Sequence, residues 1–292
     1  MAPTSDSTST PSTSPSPSTS PSPSFSLDGK NAFVTGASRG IGRAIALGLA
    51  EAGANVAAVA RSTDALEELA AEIGKLDRTA LALTCDVADA DQIGLAVADA
   101  HAELGSLDIV VNCAGLIEHA GPFLDLTAED WRRLFQVNFE SVLHVCRAAG
   151  PHLIDQGGGS VINVASVAGI NGVPFFSHYA ASKAAMISLT RSLAAEWAAR
   201  DVRVNALTPG WVGTEMTNLF QADPGISEGL IAQVPAGRWG EPEEVVGAAV
   251  FLASDAARFV TGTCLTIDGG MTAAGGGPTM RGLLALGRVA NG

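Results

Sequence analysis

The sequence contains a single tyrosine, and a lysine follows it four residues later. These are Tyr179 and Lys183, and residues 179–200 have the apolar spacing of a helix. Residues four apart share a helix face, so the phenol and the ammonium should be neighbours. A cation beside a phenol favours the phenolate and should lower a pKa that is ordinarily about 10. The pair therefore predicts that Tyr179 donates or accepts a proton near neutral pH. A packing pair on an exposed helix is the alternative.

The first apolar run of the chain leads into a glycine-rich turn. The run covers residues 32–34, the turn reads Gly-Ala-Ser-Arg-Gly-Ile-Gly over 36–42, and a helical pattern continues over 43–52. Glycines allow a tight turn and a close approach of the backbone to a pyrophosphate, and a helix start offers unpaired N–H groups to the same phosphates. This order of elements predicts a dinucleotide site.

The serine of this turn permits a second interpretation, a hydrolase nucleophile. Residues 36–40 also read G-x-S-x-G, with Ser38 in the place where α/β-hydrolases hold their nucleophile. That fold takes its acid and then its histidine from later in the chain, whereas the last histidine here is His178, before the final strands. The serine hydrolase is therefore only a distant alternative.

The end of the second predicted strand indicates which dinucleotide would bind. An unmodified ribose calls for a carboxylate at this point, whereas the strand leads into Arg61 and Ser62. Arginine binds phosphate oxygens with two parallel hydrogen bonds, so Arg61 together with Arg39 suits a 2′-phosphate. NADP(H) is therefore the predicted cofactor, and NAD(H) is less favoured.

Short β-rich runs alternate with helical patterns along the chain. The predicted strands cover residues 31–35, 55–60, 80–84, 108–112, 160–165, 202–207 and 264–267, and helices are predicted between them, over 64–75, 89–104 and 129–147 among others. The early strands are uninterrupted Val, Ala, Ile and Leu runs, which indicates burial on both faces. The alternation predicts an α/β fold, a single doubly wound Rossmann-like domain with a parallel seven-stranded sheet over residues 25–272.

The two ends of the chain differ from this domain in composition. Residues 1–24 are almost wholly Ser, Thr and Pro and have little to bury, so a disordered tail is expected. The tail lacks the basic and apolar regions of a secretory signal. Residues 273–292 are Gly-rich and then weakly apolar, and they are expected to form a C-terminal extension.

Charge and cysteine usage argue against several classes of protein. Seventeen basic and 30 acidic residues give a net charge of -13, which phosphate backbones and anionic lipids would repel. No nucleic-acid or membrane partner is therefore expected. The four cysteines lie far apart and no Cys/His group has zinc-ligand spacing, so no metal is expected. Isolated thiols fit a reducing compartment, and a cytoplasmic location is predicted.

Taken together, the motifs resemble those of the short-chain dehydrogenase/reductase family over residues 27–272. The matching motifs are T-G-x-x-x-G-x-G over 35–42, Asp86-Val87 after the third strand, Asn138 in a helix, Ser166 thirteen residues before the tyrosine, Y-x-x-x-K over 179–183, and Pro209-Gly210 with Thr214. The sequence is similar in this respect to 3-oxoacyl-thioester reductases and to gluconate dehydrogenases.

The resemblance implies hydride transfer between a nicotinamide and a carbonyl carbon. It implies that Tyr179 gives its proton to the carbonyl oxygen, Ser166 holds that oxygen, Lys183 holds the nicotinamide ribose, and Asn138 holds a water. It also implies a homotetramer. The residues expected at the cofactor are Gly36, Ser38, Arg39, Gly40, Ile41, Gly42, Arg61, Ser62, Asp86, Val87, Asn112, Ala114, Gly115, Tyr179, Lys183, Pro209, Gly210, Val212 and Thr214.

One position departs from the family pattern. The N-N-A-G that follows the fourth strand in the family reads Asn112-Cys113-Ala114-Gly115 here. We expect Cys113 to be a small buried thiol that alters local hydrogen bonding without abolishing activity. His178, next to the tyrosine, is expected to have a structural or rim role.

The loops that follow the strands should select the substrate. The candidates are residues 116–123, 167–177 and 211–239, the last with an amphipathic pattern that predicts a lid. Apolar lining favours an uncharged, partly apolar ketone or a 3-oxoacyl group. An NAD-linked sugar-acid or polyol dehydrogenase of the same family is the alternative, and a non-catalytic NADP(H) sensor is a distant one.

Overall fold

Seven parallel strands form one sheet at the centre of the computed structural model, which describes residues 24–274. The strands are β1 (Asn31–Thr35), β2 (Asn55–Ala60), β3 (Ala80–Thr84), β4 (Ile109–Asn112), β5 (Gly159–Val164), β6 (Val202–Pro209) and β7 (Cys264–Ile267). Their order across the sheet is β3-β2-β1-β4-β5-β6-β7, and each neighbouring pair is parallel. The predicted fold class is confirmed. The predicted tail and extension lie outside the described residues, apart from Ser24, Ala273 and Ala274.

Within the described residues, α-helices connect the strands and cover both faces of the sheet. They are α1 (Gly40–Glu51), α2 (Thr63–Gly74), α3 (Ala90–Leu104), α4 (Ala128–Phe135), α5 (Ser141–Asp155), α6 (Ser177–Trp197), α7 (Asn218–Ala222), α8 (Pro224–Ile231) and α9 (Glu243–Ala253). Helices α1, α2 and α9 pack on one face, and α3, α5 and α6 pack on the other. No helix within residues 24–274 has the length and hydropathy that crossing a bilayer requires.

Each face of the sheet has its own apolar core, because parallel strands are buried on both sides. On one face Ile45 and Leu49, one turn apart on α1, pack with Val245 and Leu252 of α9. All four side chains are fully buried. Truncating Leu49 to alanine in such a core costs about 2–5 kcal/mol of unfolding free energy.

The direction of winding reverses between β1 and β4, which lie side by side at the centre of the sheet. Ligands of doubly wound folds bind beyond the carboxyl ends of the strands at this reversal. Thr35 and Asn112 end the two strands and are paired across them. The hydroxyl of Thr35 accepts hydrogen bonds from the backbone N–H groups of Cys113 and Ala114 at 3.1 and 3.2 Å, which fixes the loop after β4.

The long helix predicted over 129–147 is interrupted, which corrects the sequence prediction. Between α4 and α5 the chain forms a single π-helical segment, Gln136–Glu140, and Asn138 lies in it. Both polar atoms of the Asn138 amide bond to the backbone of Leu116. Such bulges in helices occur frequently at functional sites. The partner lies 22 residues away in sequence, so local spacing carries no sign of the interruption.

Candidate active site

A cavity of about 530 Å³ opens beyond the carboxyl ends of the strands. Residues that follow β1 to β7 contribute to its wall, so it spans the reversal point and continues beneath the segment after β6. The volume is within the range of small-molecule and cofactor sites.

The turn between β1 and α1 forms one wall of the cavity. A Cβ built on Gly36, whose φ is +70°, would lie 2.8 Å from the Cα of Ala114, and one on Gly42 would lie 2.2 Å from the carbonyl oxygen of Gly36. Neither position has room for a side chain. Arg39 precedes α1 without a side-chain cap, so the first N–H groups of the helix remain available to an anion at the cavity.

Two exposed arginines line the same end of the cavity. Arg39 lies in the glycine turn, and Arg61 follows β2. Neither forms an ion pair within residues 24–274, so both guanidinium groups can bind phosphate oxygens. A third cation of this wall, Arg133 of α4, donates from Nε to Oε2 of Glu118 at 2.8 Å, and this bond holds the pKa of Glu118 below its usual range.

Ser166, Tyr179 and Lys183 come together at the other end of the cavity. Ser166 follows β5 with extended backbone, and its hydroxyl accepts a hydrogen bond from Ala168 N at 3.1 Å. The short turn after it rests directly on α6, since a Cβ on Gly169 would lie 2.7 Å from the backbone carbon of Lys183. This backbone contact sets the separation between the serine and the tyrosine.

The ionisation of the tyrosine differs from the sequence prediction. Burial raises the pKa of Tyr179 to about 12, with the Ser166 hydroxyl acting in the opposite direction. The pKa is therefore raised and not lowered as expected, because the desolvation of the phenol on burial outweighs the opposing effect of Ser166. Lys183 is itself buried, with 4% exposure, and its Nζ donates to the carbonyl oxygen of Val164 at 3.0 Å. Burial also lowers the pKa of Lys183 to about 8.

Cys113 and His178, singled out in the sequence, are both largely enclosed. Cys113 lines the cavity, and burial raises the pKa of its thiol to about 12, so the protonated form is retained at neutral pH. His178 is 1% exposed, and its Nε2 lies 3.0 Å from the carbonyl oxygen of Glu118. It therefore holds the loop after β4 in place.

Two predicted site residues are not part of the cavity wall. Asn138 is fully buried, and its amide clamps the backbone of Leu116, with Oδ1 accepting at 2.8 Å and Nδ2 donating at 2.9 Å. Asn112 is 2% exposed and donates from Nδ2 to Oδ1 of Asn163 on β5 at 2.9 Å. The Asn112 amide therefore bonds across the sheet, and its expected contact with a cofactor stays a prediction.

The remaining predicted residues all line the cavity. They are Gly36, Ser38, Arg39, Gly40, Ile41, Gly42, Arg61, Ser62, Asp86, Val87, Ala114, Gly115, Ser166, Tyr179, Lys183, Pro209, Gly210, Val212 and Thr214. Sequence reasoning missed Arg133 and Met271, which also line it. Their sequence positions provided only a weak signal. Arg133 lies near the end of α4, a few residues before Asn138, and Met271 lies in the segment that follows β7.

Aromatic side chains form another part of the cavity wall. The ring of Phe220 meets those of Phe176 and Trp211 edge to face, with centroids 5.8 and 6.1 Å apart. Trp239 packs behind Trp211 at 5.8 Å and is fixed by a hydrogen bond from its Nε1 to Ser227 Oγ at 2.9 Å. We call Phe176, Trp211 and Phe220 the aromatic wall.

The hydrolase interpretation gains no support from this arrangement. Ser38 lies in the cavity wall, but no histidine is among the described residues that line it. Within residues 24–274 no group of three His, Cys, Asp or Glu side chains is placed to hold a metal ion.

Comparison with known proteins places these features in a family. The sequence model described as enoyl-(acyl carrier protein) reductase matches residues 36–272. The chain is 39% identical over 248 residues to gluconate 5-dehydrogenase of Gluconobacter oxydans (strain 621H), covering 85% of this chain and 96% of the relative. It is 37% identical over 243 residues to a 3-oxoacyl-acyl-carrier-protein reductase of Staphylococcus aureus (strain Mu50), covering 83% and 98%.

Solved structures agree with the sequence comparison. The structure of a gluconate 5-dehydrogenase from Burkholderia cenocepacia J2315 in complex with NADP and tartrate has a TM-score of 0.82 and 39% identity to this chain. The alignment covers 86% of this chain and 98% of that one.

Proposed function

Because the chain belongs to the short-chain dehydrogenase/reductase family, we propose that it interconverts a ketone and a secondary alcohol with NADP(H) as the hydride carrier. One observation carries the proposal. Ser166 and Tyr179 share a single cavity with a glycine turn, an uncapped helix start and two arginines without ion pairs within residues 24–274. These are the groups that a phosphorylated dinucleotide and a carbonyl substrate require.

The residues that line the cavity fit NADP(H). The glycine turn and the start of α1 would hold the pyrophosphate, and Arg39 and Arg61 would hold the 2′-phosphate. Asp86 and Val87 would meet the adenine, and Pro209, Gly210, Val212 and Thr214 would lie along the nicotinamide half. When bound, the cofactor supplies or accepts a hydride at the substrate carbon.

The proton moves through Tyr179. Because burial holds its pKa at about 12, the phenol is neutral at physiological pH and is in the form that donates. In reduction the hydroxyl gives its proton to the carbonyl oxygen, and Ser166 donates a hydrogen bond to the same oxygen as negative charge develops on it. In oxidation the alcohol proton would pass to the phenolate form of Tyr179, so that direction requires the phenol to release its own proton first.

Lys183 on the cavity wall and Asn138 behind it support this step. A Cβ on Gly115 would lie 3.6 Å from Lys183 Nζ and 3.4 Å from Asn138 Oδ1, so both groups lie close to that glycine. We assign Lys183 to the ribose hydroxyls, next to Tyr179. Asn138 fixes the Gly115–Leu116 backbone against which the nicotinamide half would rest.

The decisive experiment is oxidation of NADPH, followed by its near-ultraviolet absorbance, with a panel of ketones. We expect turnover with at least one ketone and a preference for NADPH over NADH. Cofactor binding without turnover of any ketone in the panel would instead favour the sensor. Ester cleavage without cofactor that is lost in Ser38→Ala would favour the hydrolase.

We further propose a homotetramer in the cytoplasm. The exposed face of α6 carries four small side chains, Ala184, Ser188, Ser192 and Ala195, beside Arg191 and Glu196, and small side chains allow a second helix to approach closely. The four cysteines are free thiols, as suits a reducing compartment. Light scattering should give four times the chain mass of 29.6 kDa, and cell fractionation should recover the protein in the cytosol.

A further inference from the structure

The part of the cavity lined by residues after β1, β2 and β3 differs in charge from the part lined by residues after β5, β6 and β7. Arg39 and Arg61 follow β1 and β2, and Arg133 interacts with Asp86, which follows β3. Among the described lining residues contributed after β5, β6 and β7, the only cation is Lys183. Strands β1 and β6 are three positions apart, about 14 Å at the usual strand spacing, but the segment after β6 returns to the glycine turn, where a Cβ on Gly40 would lie 3.2 Å from Thr214 Cγ2.

Lys183 is not available as an anion-binding group for a substrate. Its side chain is 4% exposed, and its Nζ donates to Val164 O and lies 5.7 Å from the centroid of the Tyr179 ring. Glu215, which also lines the cavity, lies at the glycine turn, with its Oε2 3.8 Å from a Cβ on Gly40. The described lining residues that follow β5, β6 and β7 therefore offer no accessible cation to an anionic substrate.

Polar side-chain groups in this part of the cavity are few. Thr217 Oγ1 accepts a hydrogen bond from Thr214 N at 3.0 Å and donates to Val212 O at 2.9 Å, so it is occupied. The indole nitrogen of Trp211 is buried and has no partner within residues 24–274. The side chains of Ser166 and Tyr179 interact with each other at the cavity wall, so both hydroxyl groups can meet one substrate carbonyl oxygen.

The geometry points to a neutral ketone, or its secondary alcohol, that carries an aryl or alicyclic group beside the carbonyl. This inference rests on the proposed function and names its substrate class. The oxygen would meet Ser166 and Tyr179, and the ring would pack on the aromatic wall, whose rings already meet edge to face at 5.8 and 6.1 Å.

The same wall disfavours a sugar acid, the substrate that the name of gluconate 5-dehydrogenase indicates, and a polyol. A sugar-acid carboxylate would lose its water without gaining a cation, which is costly for any buried charge. The several hydroxyls of a polyol would lose hydrogen bonds to water and would find fewer partners than they lose. A keto-sugar acid and a ketose are therefore expected to be poor substrates.

The test compares four ketones with NADPH: phenylacetone, 5-keto-D-gluconate, L-tagatose and an acetoacetyl thioester. We expect kcat/KM for phenylacetone to exceed that of either sugar by at least about 100-fold, because each sugar leaves buried polar or charged groups unpaired. A higher kcat/KM for either sugar or for the thioester would overturn the inference and leave the proposed reductase function intact. Failure of all four ketones would count against the proposed function itself.

A binding measurement tests the same inference without turnover. A ketone and NADP⁺ cannot react with each other, so calorimetry in the presence of NADP⁺ reports affinity alone. Phenylacetone is expected to bind, and 5-keto-D-gluconate is expected to show no heat at the same concentration. Tighter binding of 5-keto-D-gluconate would contradict the inference.

A pair of variants locates the site. Phe220→Ala removes the ring that meets both Phe176 and Trp211, and we expect kcat/KM for phenylacetone to fall at least about 10-fold while that for butanone changes less than about 3-fold. Leu95→Ala is the control, since Leu95 is 65% exposed on α3 and is expected to have no effect. Equal losses for both ketones in Phe220→Ala, or a loss in Leu95→Ala, would refute the role of the aromatic wall.

Discussion

The ammonium of Lys183 lies over the face of the Tyr179 ring, 5.7 Å from its centroid, with both groups on the wall of one cavity. The spacing of four residues brings the two side chains together, but burial decides their protonation. It raises the pKa of the phenol to about 12 and lowers that of the ammonium to about 8. At neutral pH the tyrosine therefore keeps the proton that reduction consumes.

This burial predicts that Lys183 destabilises the fold. Lys183→Met keeps the apolar stem and removes a buried charge, so the variant should lose turnover yet melt about 3 °C or more higher at pH 7, by differential scanning calorimetry. A lower melting temperature would show that the charge is well compensated in the native protein.

The difference in stability between Lys183→Met and the native protein should depend on pH, and its direction follows from the lowered pKa of Lys183. Between about pH 8 and the ordinary lysine value of 10.5, the unfolded chain binds a proton at Lys183 that the native chain does not. The native protein therefore gains stability relative to Lys183→Met as the pH rises through this window, and the gap should shrink. The buried thiols with raised pKa values titrate in both proteins, so their contributions to the difference in stability largely cancel. A gap that is constant from pH 7 to 10.5 would contradict the lowered pKa.

Cofactor choice should depend on Arg61. Arg61→Asp places a carboxylate where a ribose hydroxyl prefers one, so we expect the KM for NADPH to rise at least about 10-fold and that for NADH to change little or fall. Lys75→Asp makes the same charge change at an exposed position after α2, at the far end of that helix from Arg61, and serves as the control. An unchanged preference in Arg61→Asp would show that the 2′-phosphate is held elsewhere.

The clamp between Asn138 and Leu116 should contribute to stability. Asn138→Ala leaves a backbone N–H and a carbonyl oxygen of Leu116 without their partner, so urea unfolding should show a loss of about 2 kcal/mol or more. Exposed Asn218→Ala is the control and should lose less than about 0.5 kcal/mol. Equal stabilities of the two variants would mean that the clamp is dispensable.

Features that depend on local sequence could be predicted, whereas those that depend on distant contacts could not. The strand bounds at 31–35, 55–60 and 80–84 agree with the structure, because apolar runs between turn residues are a local signal. The π-helical segment at Asn138 depends on Leu116, and the inward position of Asn112 depends on β5. The protonation of Tyr179 depends on burial, which spacing alone does not report. Arg133 and Met271 reach the cavity through the tertiary fold.

The central claim is that the neutral phenol of Tyr179 supplies the proton, and Tyr179→Phe tests it most directly. Steady-state NADPH oxidation with the best ketone should fall at least about 100-fold, while NADPH binding, measured by fluorescence, should stay within about 3-fold of the native protein. A variant that retains native turnover would contradict the account, because the ketone would then receive its proton from another group.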